Sequence, residues 1–464
     1  MRLGDVGNLF VTVGLLAVTV VFIVFLLGYF IIYKRFMKGK KQLSLWKLVL
    51  WGGFLSYILI VLGATLVVRQ TFYSGSRFNF QLFSQYRFAW HNFCVAEWRN
   101  IILNIMMFVP FGVMLPRLVK RLRMIWKTIF ICFAGSVFIE ITQLITGRGI
   151  FAFDDIFHNT LGGFIGYGLF CSAFAIVSVR PLHVKKIVVG FIPLLITTAT
   201  FIGIFVTYDL QEFGNMPQRY VNRVNMEDII LSSEVALSSE PTQAMVYTTS
   251  GVASVAEVKM LADEFFAMLE AEIDETHTQI YNDAVFFEAL SPNGQMLTLA
   301  INYRAMTYRF FDFSSFDHNR VSADEELIRE RLKGFGIYIP ETAIFSEEDD
   351  GVYHFESIPE SDGALTFWGW LGCVYYDDGT IKEINNHLVE VHPVRMVDII
   401  NKQQAYEQIE KGMFQHDSSI EIRSLHVISV RLTYEMDTKG FLQPVYSFEV
   451  EIDGYEQNII IPAI

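Results

Sequence analysis

Six stretches of this chain are apolar and nearly free of charge over lengths that suit a bilayer: residues 9–33, 48–68, 101–116, 128–146, 160–179 and 187–207. A hydrocarbon core of roughly 30 Å takes about 20 helical residues, and only a segment that satisfies its own backbone can cross it. The stretches therefore predict six transmembrane helices. The third is the shortest and contains Asn104 and Pro110, a proline that neighbouring helices can accommodate by re-satisfying the freed carbonyl. The first lacks a strongly basic start and a small-residue cleavage signal, so it is expected to stay attached.

Charge divides the 464 residues in two. Up to residue 207, 20 Lys and Arg face only Asp5, Glu97, Glu140, Asp154 and Asp155, a balance of +15; the rest of the chain carries −28 of the total −13. Such opposite halves predict separate domains in different surroundings. The basic residues cluster beside the apolar stretches, at 34–41, 117–127 and 180–186, which excludes a nucleic-acid-binding patch. The positive-inside rule puts those three loops in the cytoplasm. The N-terminus, the loops 69–100 and 147–159, and everything after residue 207 are then expected outside. Loop 69–100 holds ten aromatic residues between Phe72 and Trp98, which suits the headgroup layer and makes it either an interfacial anchor or the roof of a site. Of the four cysteines, Cys132 and Cys171 lie inside apolar stretches, so no disulfide framework is expected.

Glu140 stands inside an apolar stretch, where a charge costs at least roughly 2.5 kcal/mol. Gln143 lies one helical turn on and Arg148 about two turns on, on a similar face. Asp154, Asp155, His158 and Asn159 follow, and then Gly162, Gly163 and Gly166, which permit close helix packing. Adjacent carboxylates at a helix entrance more often cap than ligate a cation, so no metal and no cofactor are expected. The order Asn104, Pro110, Gly112, then Glu140-x-x-Gln143, Arg148, Asp154-Asp155-x-x-x-Asn159 and Gly162-Gly163-x-x-Gly166 resembles the VanZ-like family over residues 48–179. Members of that family are integral membrane proteins, mostly of Gram-positive bacteria, and the name-giving one is linked to reduced teicoplanin susceptibility. The resemblance implies that Asn104, Glu140, Gln143, Arg148, Asp155 and Asn159 are the family's polar positions, with Asn79 a further match.

After residue 207 acidic residues dominate. Residues 208–250 read as a polar tether, and 251–464 as an α+β domain. Val255, Val258, Ala262, Phe265 and Leu269 recur at helical spacing. Residues 284–290 and 296–303 alternate like strands around the turn Ser291-Pro-Asn-Gly294. A second helix at 323–333, strands at 352–357, 364–376 and 381–391, and the turn Asp377-Asp-Gly379 repeat the rhythm, which predicts two related subdomains. Asn401 can cap a helix that Gly412 stops, and three strands end the chain, at 425–434, 442–452 and 458–462. The stretch 399–448 resembles the PepSY-like and YycI-like extracytoplasmic modules, which implies protein binding or signalling. His387 and His392 have no cysteine or second histidine pair beside them, so they are read as solvated or locally bonded.

The expected fold is an all-α membrane bundle of about six transmembrane helices plus an extracytoplasmic α+β domain. Its parts are a first span and basic loop at 1–47, a VanZ-like bundle at 48–179, a sixth span at 180–207, the tether, and the outer domain. The expected function is binding or sensing of an envelope component at the outer leaflet of the cytoplasmic membrane, linked to glycopeptide or envelope-stress resistance. Asn104, Glu140, Gln143, Arg148, Asp154, Asp155 and Asn159 are its ligand-binding or polar-network residues. Membrane lipids and a cell-envelope glycan, lipid precursor or envelope protein are the partners this reading implies. Two further readings use the same residues. They can serve packing alone, or a Glu/Asp pair with His158 as proton shuttle can serve a membrane enzyme acting on an envelope lipid or glycan through Glu140, Arg148 and Asp155.

Overall fold

The computed structural model describes residues 19, 22–25, 27–36, 44–66, 78–93, 95–178, 183–217, 224–249, 251–281, 283–359, 366–416 and 422–464. They form two compact units that divide between Glu212 and Phe213. The first is helical. In chain order it contains α1 (Leu45–Leu66), β1 (Phe78–Asn79), α2 (Ser84–Asn92), α3 (Val95–Leu118), α4 (Ile125–Thr146), β2 (Phe151–Ala152), α5 (Phe153–Ser178) and α6 (Val184–Leu210). Among the described residues, α1, α3, α4, α5 and α6 are long and apolar enough to cross a membrane. The first expected span lies largely outside the described residues, and Gly28–Phe36 at its end is a π-helical segment. The protein is thus a multi-pass membrane protein.

Glycine decides how closely α5 can approach α3. A Cβ on Gly162 would stand 1.9 Å from the Ile105 carbonyl oxygen, and one on Gly166 would stand 2.0 Å from that of Val109. Without a hydrophobic force between helices in lipid, such backbone contact is what holds spans together. Phe108 and Cys132 pack with Val61 and Ile139 on one side of this contact, while Trp98, Ile101, Ile105 and Ile165 pack on the other.

The second unit carries β3 (Ile230–Ser233), β4 (Thr242–Thr248), α7 (Val255–Met268), β5 (Glu272–Ile273), β6 (Gln279–Ile280), β7 (Ala284–Leu290), β8 (Met296–Asn302), β9 (Tyr308–Asp312) and α8 (Glu325–Lys333). It continues with β10 (Ile344–Asp349), β11 (Val352–Ser357), β12 (Thr366–Tyr375), β13 (Ile381–Asn386), β14 (Val389–Ile399), α9 (Lys402–Glu410), β15 (Ser424–Met436), β16 (Phe441–Ile452) and β17 (Tyr455–Pro462). A helix followed by an antiparallel three-strand meander occurs three times: α7 with β7–β8–β9, α8 with β11–β12–β13, and α9 with β15–β16–β17. The first two meanders join through their third strands, β9 against β13. Their shared core is closed by Val258, Ala262 and Phe265 of α7 and by Ile328 and Leu332 of α8. Ala405, Tyr406 and Ile409 of α9 close a second core over β4 and β14–β17. The expected α+β architecture is present, with two cores closed by helices and a third, smaller apolar cluster of Tyr247, Ala305, Val389, Val391 and Leu442.

Local signals explain the boundaries. Ser254 and Asn401 form capping boxes with Glu257 and Gln404, and Gly412, at φ 68°, follows the end of α9. Two expectations need correction. Residues 381–391 are not one strand: Asn386 Oδ1 accepts a bond from Leu388 N (3.0 Å), which turns the chain between β13 and β14. The stretch 208–250 is not simply a tether. Its start completes α6, and β3 and β4 are strands of the sheet. Gly214 N donates to the buried Asp437 Oδ2 (2.6 Å), and Gln443 Nε2 donates back to the Gly214 carbonyl (2.8 Å). A buried carboxylate demands donors, and the chain just beyond α6 supplies one.

Gly162→Leu is expected to cost at least the roughly 1–3 kcal/mol typical of overpacking, because the nearest obstacle is backbone. Gly203→Leu, on a surface of α6 with nothing within 4 Å, should be neutral. Size-exclusion profiles and thermal stability of the two variants in detergent check the pair.

Candidate functional site

Of the polar residues expected to act together, Glu140 and Gln143 lie toward the end of α4 and Asp154, Asp155 and Asn159 at the start of α5, with Asn104 reaching them from α3. Asp154, fully buried, does not cap its own helix. It caps α2, which comes from the aromatic loop. Asp154 Oδ1 accepts from Phe83 N, and Oδ2 accepts from Ser84 Oγ (3.0 Å) and Gln85 N (2.7 Å). Phe83 takes up a left-handed conformation (φ 65°) to present these donors. A charge-assisted cap of this kind binds donors more strongly than a neutral one.

The loop is held at two further points. β1 pairs in parallel with β2, Phe78 opposite Phe151 and Asn79 opposite Ala152. Glu140 Oε2 accepts a bond from Ala152 N (3.0 Å), so the intramembrane carboxylate holds the strand that receives the loop. Asn79, the less direct match, turns the loop: it donates to Ser84 Oγ (2.8 Å) and accepts from Gln81 N (3.1 Å). Phe80 packs edge-on to Phe153, with ring centres 5.2 Å apart, and Phe83 packs edge-on to Phe157 at 5.3 Å. Residues 78–93 therefore form a roof bound to the bundle.

Beneath it, Asp155 Oδ1 accepts from Asn104 Nδ2 of α3 (2.8 Å) and from Gln85 Nε2 of the roof (3.0 Å). Asn159 donates to Ser136 Oγ of α4 (2.8 Å), and Gln143 donates to the Thr65 carbonyl of α1 (2.9 Å). Arg148 stands apart. Gly147, at φ 68°, ends α4 before it, so Arg148 leaves the Glu140 face. Its exposed guanidinium donates to the Leu66 carbonyl, and among the described residues no ion pair joins it to Glu140, Asp154 or Asp155.

Several buried polar atoms here have no hydrogen-bond partner among the described residues: Gln143 Oε1, Asn159 Oδ1, both ring nitrogens of His158, and Trp98 Nε1. His158 is fully buried. Its ring packs edge-on to Tyr86 of the roof (5.1 Å), and its Nδ1 lies 3.9 Å from Asp155 Oδ1, too far for a hydrogen bond. Ser136, Ser84, Gln85 and Trp98 are site residues that the sequence reading passed over. Ser136 was within reach of it, four residues before Glu140 on the same helix face. Nothing in the sequence marked Ser84 and Gln85 within a loop dominated by aromatic residues.

Asp154→Ala should strand three donors, each costing about 1–3 kcal/mol where it is buried. The expected result is a lower melting temperature and loss of amide protection confined to residues 83–92, with Asp154→Asn intermediate. Hydrogen exchange by mass spectrometry reads both.

Residues 20–176 match the family model described as VanZ/LLP1, a stretch that begins earlier than the resemblance seen in the sequence. No curated protein matches the chain. Among solved structures, the chain is similar to the Bacillus megaterium YpeB C-terminal domain, at 14% identity over 46% of this chain and 93% of that one, with a TM-score of 0.24. Residues 20–176, which bring Asn104, Glu140, Asp155 and Asn159 together, are thus similar to the VanZ/LLP1 family.

Proposed function

We propose that the protein binds the polar head of an amphiphilic envelope component beneath the α2 roof, with the roof and the second unit on the outer side of the cytoplasmic membrane. The observation that carries this reading is the set of buried, unpartnered polar atoms of Gln143, His158, Asn159 and Trp98 beside three buried carboxylates. Each such atom costs about 1–3 kcal/mol in an apolar interior, and a site for a guest accounts for several of them on neighbouring helices better than packing does. Packing alone would be served by apolar residues.

The chemistry narrows the head group. Acceptors predominate: the carboxylates of Glu140, Asp154 and Asp155 and the free amide oxygens of Gln143 and Asn159. A head rich in donors, such as sugar hydroxyls or an amine, suits them better than a phosphate does. The exposed Arg148 remains at the rim for an anionic portion of the same molecule. Its separation from the carboxylates counts against an enzyme that uses Glu140, Arg148 and Asp155 together. Alternate basic loops support the orientation, and the similarity of residues 20–176 to the VanZ/LLP1 family supports a role in the cell envelope.

The full-length protein in nanodiscs would be titrated with a glycosyl diacylglycerol, an amine-headed phospholipid and phosphatidylglycerol, with binding read by native mass spectrometry. The first two should bind. His158→Phe should leave the melting temperature unchanged or raise it, because it removes two unsatisfied nitrogens from an aromatic surround. It should also weaken binding at least tenfold. Unaltered binding in both His158→Phe and Asp155→Asn would remove the site.

A further inference from the structure

We infer that the second unit carries its own ligand site, a cleft on the open face of its first sheet that takes a neutral saccharide. The face opposite the core formed with α7 and α8 holds a cleft of about 310 Å³, at the small end of the roughly 300–1,000 Å³ typical of ligand pockets.

Its floor is a gap. Gly372 of β12 stands between His354 of β11 and Asn385 of β13, and Asn385 stands opposite Arg309 of β9. A strand-interior glycine weakens a sheet unless something approaches closely there. Neither φ nor space requires this one: a Cβ at Gly372 would meet nothing nearer than the Trp370 ring at 3.4 Å, an ordinary contact.

One wall is formed by the rings of Trp370 and His354, and His387, outside the lining, stacks on Trp370. Trp370 lies parallel to His354, with centres 5.3 Å apart, and to His387 at 4.6 Å. Gly369, at φ 109°, sets this up. A Cβ there would stand 2.1 Å from the His387 carbonyl oxygen, so only glycine lets β12 bend against the β13–β14 turn. Burial lowers the His387 pKa, which keeps that ring neutral at pH 7. The backbone of His387 is fixed here as well, its N donating to the Trp370 carbonyl (2.8 Å).

The other wall mixes donors and acceptors. The side chains of Arg309 and Asn385 form no hydrogen bond or ion pair among the described residues, while Glu348 and Glu383 add carboxylates. Vicinal hydroxyls, each both donor and acceptor, match planar amide, guanidinium and carboxylate groups, and an aromatic wall suits the apolar face of a sugar ring. Two carboxylates against one arginine disfavour a polyanion. An extended peptide that adds to a sheet needs a free edge, and every strand under the cleft is paired on both sides: β9, β11, β12 and β13.

The test uses full-length protein in detergent, titrated calorimetrically with chitotetraose, maltotetraose and, as an anionic probe, tripolyphosphate. The expected result is saturable binding of at least one neutral tetrasaccharide, weakened tenfold or more by Gly372→Val and by Arg309→Ala, and unchanged by His158→Phe. Arg309 is exposed, so its variant reports even where Gly372→Val fails to fold. Four results each overturn the inference: no titration by either tetrasaccharide, wild-type affinity in Arg309→Ala, binding of tripolyphosphate alone, or loss of saccharide binding in His158→Phe. The last would assign the sugar to the membrane site, whereas saccharide binding that survives with no lipid bound leaves this cleft standing when the membrane reading fails.

Discussion

A carboxylate that accepts three donors from a distant loop is the interaction on which the membrane unit's site depends. Asp154 sits where the bundle meets the segment between α1 and α3, and its oxygens hold the start of α2. A fully buried carboxylate without donors is prohibitively costly, so the loop must close over it for the bundle to be stable. Glu140 repeats this logic through Ala152, and Asp155 through Gln85 and Asn104. Charges that would be liabilities in an apolar helix become the means by which one segment is fastened to another.

That fastening needs α3 and α5 to be nearly in backbone contact, because Asn104 must reach Asp155 across the seam. Gly162 and Gly166 permit the approach, about two and three turns after the carboxylates. Small residues and polar residues on α5 are parts of one arrangement: the first sets the distance, the second uses it. Polar atoms left over from it, on His158, Asn159 and Gln143, have no structural employment among the described residues, which separates them from the carboxylates that do.

The second unit solves a different problem. An acidic domain needs an apolar core, and helices close two of them here, α7 with α8 over one and α9 over the other. The opposite face of the first sheet is left to polar and aromatic side chains, and the gap at Gly372 lies there. A face not needed for the core is where side-chain chemistry can vary without loss of stability, and ligand sites commonly rest on such a rigid scaffold.

Much of this was legible in the chain itself. Apolar length gave the spans from 48 onward, because a bilayer imposes one dimension on any helix that crosses it. Apolar spacing marked α7, a capping asparagine and a terminal glycine marked α9, and turn residues marked the β7–β8 and β12–β13 hairpins, because those signals act over a few residues. The polar positions were visible as well, since a glutamate in an apolar stretch is conspicuous. Their partners were not. That Asp154 caps a helix about seventy residues away, that Arg148 leaves the face of Glu140 at Gly147, that 208–250 contributes strands, and that Trp370 stacks between two histidines all depend on segments far apart in the chain being brought together. Local periodicity determined which residues are helical, stranded or buried; only tertiary packing decided which of them meet, because pairing energy depends on distances that sequence separation does not encode.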